Sequence, residues 1–225
     1  MKTIGSTIIM LALASSLFAD NGKELKLASP DGTHEIVFYQ KQVSPAVNEL
    51  CYRVDYKSQP VVNESRAGLE LDNRIWEMAL GVRNLKQPAC WMDNLEVDSV
   101  TYQLETNLTW QPLYGERSSV RDHYRAGTLC LSKKDNSGYR LNIEVRAYNE
   151  GVAFRYFFPE HPKAIFHKVV GDLTEYALPA GTKAWTEQWA QAFFERLNID
   201  DIKHPVERTL TFELPNGKWA ALADA

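Results

Sequence analysis

The sequence predicts an all-β fold, and three observations carry that expectation. Apolar residues recur at every second position over short runs, turn residues interrupt those runs, and helical periodicity is weak throughout. The clearest run is 141–147. In an extended chain Leu141, Ile143, Val145 and Ala147 fall on one face, and Asn142, Glu144 and Arg146 on the other. Asn149-Glu150-Gly151 follows as a turn, with Gly151 free to take positive φ. The next run carries Val152, Phe154, Tyr156 and Phe158 on alternate positions. It stops at Pro159, which has no N–H for a ladder.

The remaining elements repeat the plan. Ser29-Pro30-Asp31-Gly32 separates Leu25–Leu27 from Glu35–Tyr39, and Lys57-Ser58-Gln59-Pro60 separates Leu50–Tyr56 from Val61-Val62. Asp135-Asn136-Ser137-Gly138 separates Thr128–Leu131 from Tyr139–Val145, and Pro215-Asn216-Gly217 separates Thr209–Leu214 from Lys218–Leu222. Each turn pairs Gly or Pro with Asn, Asp or Ser, which tolerate or impose the required dihedrals. Residues 187–198 hold one helical turn at most. Many short strands at this spacing mean a sandwich or a barrel.

The first residues read as an address rather than as structure. Lys2 opens the chain, an apolar run follows from Ile8 to Leu17, and small Ala19 precedes Asp20. That is the pattern of a cleavable secretory signal over 1–19, too short to span a bilayer, which takes about 20 residues. A retained anchor is the competing reading. The expectation is a mature domain over 20–225, periplasmic or secreted, with no membrane contact after signal removal. The net charge of −4, or −5 without Lys2, offers no attraction to nucleic acid or anionic lipid. Cys51, Cys90 and Cys130 match no zinc or redox spacing, and apolar neighbours favour buried free thiols. His34, His161, His167 and His204 are scattered and read as solvent-facing. Ser118-Ser119 lacks a nucleophile elbow, and no phosphate loop or dinucleotide fingerprint occurs.

Longer motifs carry a resemblance. Thr109-Trp110-Gln111-Pro112-Leu113-Tyr114-Gly115-Glu116-Arg117 resembles the Trp-Gln-Pro-x-x-Gly-Glu signature of the N-terminal domains of glycoside hydrolase family 97. Arg121-Asp122-His123-Tyr124, the run from Tyr148 to Tyr156, Ala67-Gly68-Leu69-Glu70-Leu71 and Ser29-Pro30-Asp31-Gly32 extend the match along nearly all of the mature chain. The family includes α-glucosidases and α-galactosidases of gut Bacteroidetes. The resemblance implies a large antiparallel β-supersandwich, galactose-mutarotase-like, packed on a catalytic (β/α)8 barrel. It places the acid, base and nucleophile carboxylates in that barrel, beyond Ala225, and implies calcium dependence in the complete enzyme. A barrel needs about 250 residues and is absent here. The abrupt stop after the Lys218–Leu222 strand reads as a truncation, and the chain by itself is expected to be inactive.

The resemblance also marks site residues. In the family a glutamate of the N-terminal domain, several residues after a Trp, ligates the active-site calcium. Here the spacing points to Glu195, with one residue of slip, and Glu187 competes. Calcium takes six to eight oxygen ligands, so one carboxylate holds it weakly. Trp189 and Gln191 are candidates for contact with an α-linked oligosaccharide, ahead of Trp185, which alternation puts inside. Glu116, Arg117, Arg121, Asp122 and His123 form a charge-dense cluster. Glu116, Arg117 and His123 are candidate sugar contacts, with a buried or interdomain ion-pair network as the competing role. An acid beside a histidine invites a general-base reading, but neighbours on a strand point to opposite faces. Three functions stand open: an accessory domain of an exported α-glycosidase, a free-standing carbohydrate-binding module, or an interaction protein without a ligand.

Overall fold

The alternation of apolar and polar residues is realised strand by strand in a computed structural model, which describes residues 19–20, 23–45, 47–71, 95–133, 138–160 and 167–224. The leader up to Phe18, Cys90, the turn residues 135–137 and His161 lie outside the described residues. Within them the fold is all-β, with one short 3-10 turn at Ile199–Asp201.

Four consecutive strands form one antiparallel meander: Glu24–Ala28 (β2), His34–Ser44 (β3), Val47–Tyr56 (β4) and Gln59–Arg66 (β5). A facing sheet follows the order Ala19–Asp20 (β1), Leu95–Tyr102 (β7), Val120–Lys133 (β9), Arg140–Tyr148 (β10) and Gly151–Phe157 (β11). Thr106–Trp110 (β8) pairs with the first half of β9, and β7 pairs with its second half. Leu69–Leu71 (β6) pairs with Val169–Asp172 (β12). A smaller sheet has the order Glu195–Asn198 (β14), Lys183–Thr186 (β13), Leu210–Glu213 (β15) and Trp219–Leu222 (β16).

The two large sheets close on one core. Leu25, Ile36, Phe38 and Tyr52 from the meander meet Val100, Leu129, Leu141, Ile143 and Val145 from the facing sheet. Burying each such side chain contributes about 1.5–3 kcal/mol. The hairpin read from the sequence is present: β10 and β11 pair from Asn142↔Phe157 to Tyr148↔Gly151. Phe154 of β11 reaches across the sandwich edge-on to Phe38, with centroids 5.1 Å apart. Ala184, Phe212 and Leu214 form a second cluster, joined to the meander through Val61.

Several local expectations change. The reversal after β4 uses only Lys57 and Ser58, both at positive φ (50° and 59°), so Gln59 and Pro60 belong to β5. Two positive-φ residues match the twist of a two-residue hairpin, and Pro60 is tolerated because β5 is an edge strand among the described residues. Gly151 is not at positive φ; it opens β11 opposite Tyr148, and the chain reverses at Asn149-Glu150. Residues 187–198 hold no helix, within the bound of one turn at most, and the short 3-10 turn follows at Ile199–Asp201. His34 packs tilted against Tyr56 with ring centroids 4.8 Å apart, and His167 stacks on Phe158 at 4.2 Å, so both are half-buried packing groups rather than solvent-facing ones. Cys51 is buried and Cys130 half-buried, and both are free thiols.

Candidate functional site

The small sheet positions the candidate calcium and sugar contacts. β13 ends at buried Thr186, which pairs with Glu195 at the start of β14. Residues 187–194 are therefore the loop of a hairpin. A turn within it is closed by the Ala192 N–H, which donates to the Trp189 carbonyl at 2.8 Å. The loop holds Trp189 58% exposed, Phe193 94% exposed and Gln191 exposed. Glu195 is exposed, and its backbone carbonyl accepts from Thr186 Oγ1 at 3.4 Å. Trp189, Gln191 and Glu195 thus belong to one hairpin. Glu187 is half-buried at its other end, where its carbonyl accepts the Glu207 N–H at 2.9 Å.

Trp185 is not inside. The inward residues of β13 are Ala184 and Thr186, and Trp185 lies on the outer face. There its ring meets that of Trp219, with centroids 4.4 Å apart, and the Arg196 guanidinium sits 5.0 Å from the ring centre. Phe212 and Leu214 fill the inner face, which leaves no room there for an indole.

The charge-dense cluster divides between an exposed loop and a strand. Glu116 and Arg117 are exposed in the segment that joins β8 to β9, beside Leu113, which is 100% exposed. Arg121, His123 and Arg125 lie on β9 and reach partners near β8. Arg121 Nε donates to Asn107 Oδ1 at 3.0 Å, and Arg125 Nε to Glu105 Oε2 at 3.0 Å. His123 Nε2 lies 2.7 Å from Glu105 Oε1. His123 pairs with Glu105 rather than with its neighbour Asp122. Its hydrogen bond, then that of Arg125, holds the Glu105 carboxyl below the usual carboxylate range. Sequence reading missed Glu105, because only the pairing Thr106↔Tyr124 brings it beside His123. His123 Nδ1 is buried without a hydrogen-bond partner among the described residues. The ring is therefore held between strands rather than presented openly to a ligand.

Among the described residues no three His, Cys, Asp or Glu side chains stand together as a metal cage. The Glu195 carboxylate offers one hard oxygen donor in the open. That chemistry suits a single calcium ligand, with the others coming from elsewhere.

A cleft of about 1020 Å³ opens between β11, the meander and β16. Tyr52, Phe154, Tyr156, Asp172, Phe212 and Leu222 are among the residues that line it. Burial pushes the Tyr52 and Tyr156 hydroxyls up, and both are hydrogen-bonded: Tyr52 donates to the Glu175 carbonyl at 2.6 Å, and Tyr156 pairs with Thr174 Oγ1 at 2.6 Å. They act as structural anchors: the sequence places Tyr156 on the apolar face of its strand, and neither hydroxyl was among the candidate site residues.

The described residues thus build a β-sandwich with a smaller sheet attached, and that smaller sheet carries an exposed aromatic loop ending at the exposed carboxylate of Glu195. The description "Glycosyl-hydrolase 97 N-terminal" matches residues 27–225, and the chain belongs to that family. It is 26% identical over 178 residues to a retaining alpha-galactosidase of Bacteroides thetaiotaomicron, which covers 79% of this chain and 22% of that protein. In fold it is similar to a glycoside hydrolase family 97 enzyme of a Pseudoalteromonas species solved in complex with acarbose. That likeness has a TM-score of 0.71 at 24% identity over 86% of this chain and 27% of that one. It is also similar to a beta-arabinopyranosidase, with a TM-score of 0.66 at 16% identity over 88% of this chain and 31% of that one. The chain thus spans about a quarter of the length of these relatives, full enzymes in which this domain sits with a catalytic domain.

Proposed function

We propose that the chain is the N-terminal accessory domain of an exported, calcium-dependent α-glycosidase, acting on an α-glucoside or α-galactoside. The observation that carries this reading is the hairpin loop 187–194, which sets exposed Trp189 and Gln191 beside the free carboxylate of Glu195. Trp189 and Gln191 form part of the substrate-pocket wall, and Glu195 gives one ligand to the calcium of the complete enzyme. Glu187, half-buried at the other end of the loop, is the less accessible alternative. Glu116 and Arg117 stand on the exposed 111–119 segment, where they reach either sugar hydroxyls or the catalytic barrel. His123 acts through the order it gives β8 and β9. The known family relatives support the partner, a catalytic barrel in the same parent chain. The Lys2–Ala19 pattern supports export.

The carboxylate pair that cleaves the glycosidic bond belongs to the barrel. Calcium, when bound, supplies Lewis-acid stabilisation of charge at the reacting sugar. What this domain does is hold its carboxylate and its indole at fixed positions, on a β hairpin rather than on a mobile tail. The chain by itself, with calcium present, is expected to hydrolyse neither aryl α-glucosides nor aryl α-galactosides, and measurable turnover by the purified chain overturns the reading. In the enzyme that contains the domain, Glu195→Gln is expected to raise the calcium concentration needed for half-maximal activity at least about tenfold. An unchanged calcium requirement removes Glu195 from the ligand set.

A further inference from the structure

The cleft between β11 and β16 is bounded by two strand edges. Every residue from Glu150 to Tyr156 lines one bank, and every residue from Lys218 to Asp224 lines the other. A strand seen face-on offers alternate residues, so these unbroken runs mean that each strand turns its backbone edge to the cleft. The hydrogen-bond pattern agrees. Tyr148 and Gly151 close the reversal before β11 and bond to each other, so Ala153, Arg155 and Phe157 also bond across to β10. Val152, Phe154 and Tyr156 then turn their N–H and C=O groups outward. On β16 the Lys218 carbonyl accepts the Leu214 N–H at 2.8 Å, so Ala220 and Leu222 bond to β15, and Trp219 and Ala221 point outward. Among the described residues no strand pairs with either outer edge. The floor is the inner face of the meander, with Ile36, Tyr52 and Val54. The apolar row of β11 is only half-buried, whereas its neighbours Leu141, Ile143, Val145 and Ala147 on β10 are buried.

We propose that this cleft seats an extended segment of the parent polypeptide, lying between the edges of β11 and β16 and hydrogen-bonded to β11 as a further strand. A single extended chain meets both demands of the cleft. Its main chain pairs the outward N–H and C=O groups, and apolar side chains at alternate positions rest on the floor. The two edges lack the devices that keep an open edge from pairing: β16 has no charge and no proline, and β11 has one charge, Arg155. The fold already covers another edge in this way. The Glu175 N–H donates to the Arg66 carbonyl at 2.8 Å and the Asn63 N–H to the Ala177 carbonyl at 2.8 Å, which lays 173–177 along the outer edge of β5. A folded second copy brings its own sheets with its edge strand and cannot enter a recess that has two banks and a floor. The parent polypeptide has the length to supply the segment, since this chain covers 22% of one relative and 27% of another. A segment of the same polypeptide reaches the cleft at high effective concentration, so no free peptide competes with it. The proposal rests on the accessory-domain reading only for the source of the segment.

Amide hydrogen exchange is the test. In the purified chain, the Val152, Phe154 and Tyr156 amides are expected to exchange fast by NMR, and those of Ala153 and Arg155 slowly. In the enzyme that contains the domain, exchange over 150–157 and 218–224, followed by mass spectrometry, is expected to slow at least about tenfold. Equal exchange in the two overturns the proposal. Slow outward amides in the purified chain also overturn it, and slowing that grows with its concentration identifies a second copy as the occupant. Val152→Pro deletes one outward donor and spares the β10 ladder, and Val152→Ala controls for the lost side chain. The two variants are expected to melt within about 1 °C of each other in the purified chain, whereas in the enzyme the proline variant is expected to melt about 2–4 °C below the alanine one. Equal midpoints in the enzyme overturn strand pairing. None of these readouts uses turnover or calcium. Slowed exchange in an enzyme that is not an α-glycosidase sustains the strand and removes only the accessory-domain reading, and unchanged exchange in an active calcium-dependent α-glycosidase does the reverse.

Discussion

At the residue scale, the turn at Ser29–Gly32 shows how a short motif becomes a fixed joint. Asp31 Oδ1 accepts from Ser29 Oγ at 2.6 Å, from the Thr33 N–H at 2.9 Å and from Thr33 Oγ1 at 2.8 Å. Its own N–H donates to Asn149 Oδ1 at 3.0 Å, which ties this turn to the β10–β11 reversal. The Ser29 hydroxyl first, then the Thr33 N–H, hold the Asp31 carboxyl down to about 2. A carboxyl lowered in the folded state stabilises the fold above its unfolded pKa. That contribution is lost as pH falls through the folded value. An NMR titration is expected to place the Asp31 midpoint near 2, and Asp31→Asn is expected to flatten the acid limb of the stability curve. A midpoint in the ordinary carboxylate range would show that these hydrogen bonds do not persist in solution. Residue identity made this joint legible, since Ser-Pro-Asp-Gly is turn chemistry on its face. It said nothing of Asn149, which arrives from 118 positions away.

At the element scale, the strands were legible wherever one face is buried and the other wet. The burial of β10 follows the alternation read from 141–147 without exception at its four apolar positions. Trp185 went the other way because β13 is only four residues long, and Ala184 and Thr186 are small enough to fill its inner side. In so short a strand, a one-residue change of phase exchanges the faces, and side-chain volume in the facing cluster decides between them. Close approach between elements was likewise invisible. A Cβ added at Gly127 of β9 would lie 3.1 Å from Leu25 Cδ1 and 3.3 Å from Tyr102 Cδ1. The two large sheets use that glycine to come together near β2. Gly127→Val is expected to cost about 1–3 kcal/mol by overpacking, measured by chemical denaturation with an unchanged m-value. A neutral result would mean that Leu25 and Tyr102 relax freely.

At the scale of the whole molecule, exposed apolar tips are the dominant surface feature. Leu113 and Tyr114 project from the segment after β8, and Trp189, Phe193 and Phe194 from the loop after β13. Apolar side chains presented this openly favour association when no partner covers them. Sedimentation of the purified chain is expected to show concentration-dependent association, reduced by Phe193→Ser and by Leu113→Ser. A monomer at high concentration with all five side chains in place would mean that the tips are not a docking surface. The all-β class, the β10–β11 hairpin and the positions of most chain reversals follow from the sequence by itself, because alternation and turn dihedrals are local properties of the chain, whereas the reversal at Lys57-Ser58 is tighter than the motif suggests. The sequence also offers Glu195 as a candidate through the resemblance and Trp189 through its aromatic chemistry, and the structure places both on one hairpin. Only the tertiary structure decided which residues meet: Glu105 with His123, Trp185 with Trp219, and Tyr52 and Tyr156 around the cleft. Those contacts depend on strand register and on the packing of one sheet against another. Both are set by the summed fit of side chains that lie far apart in the chain.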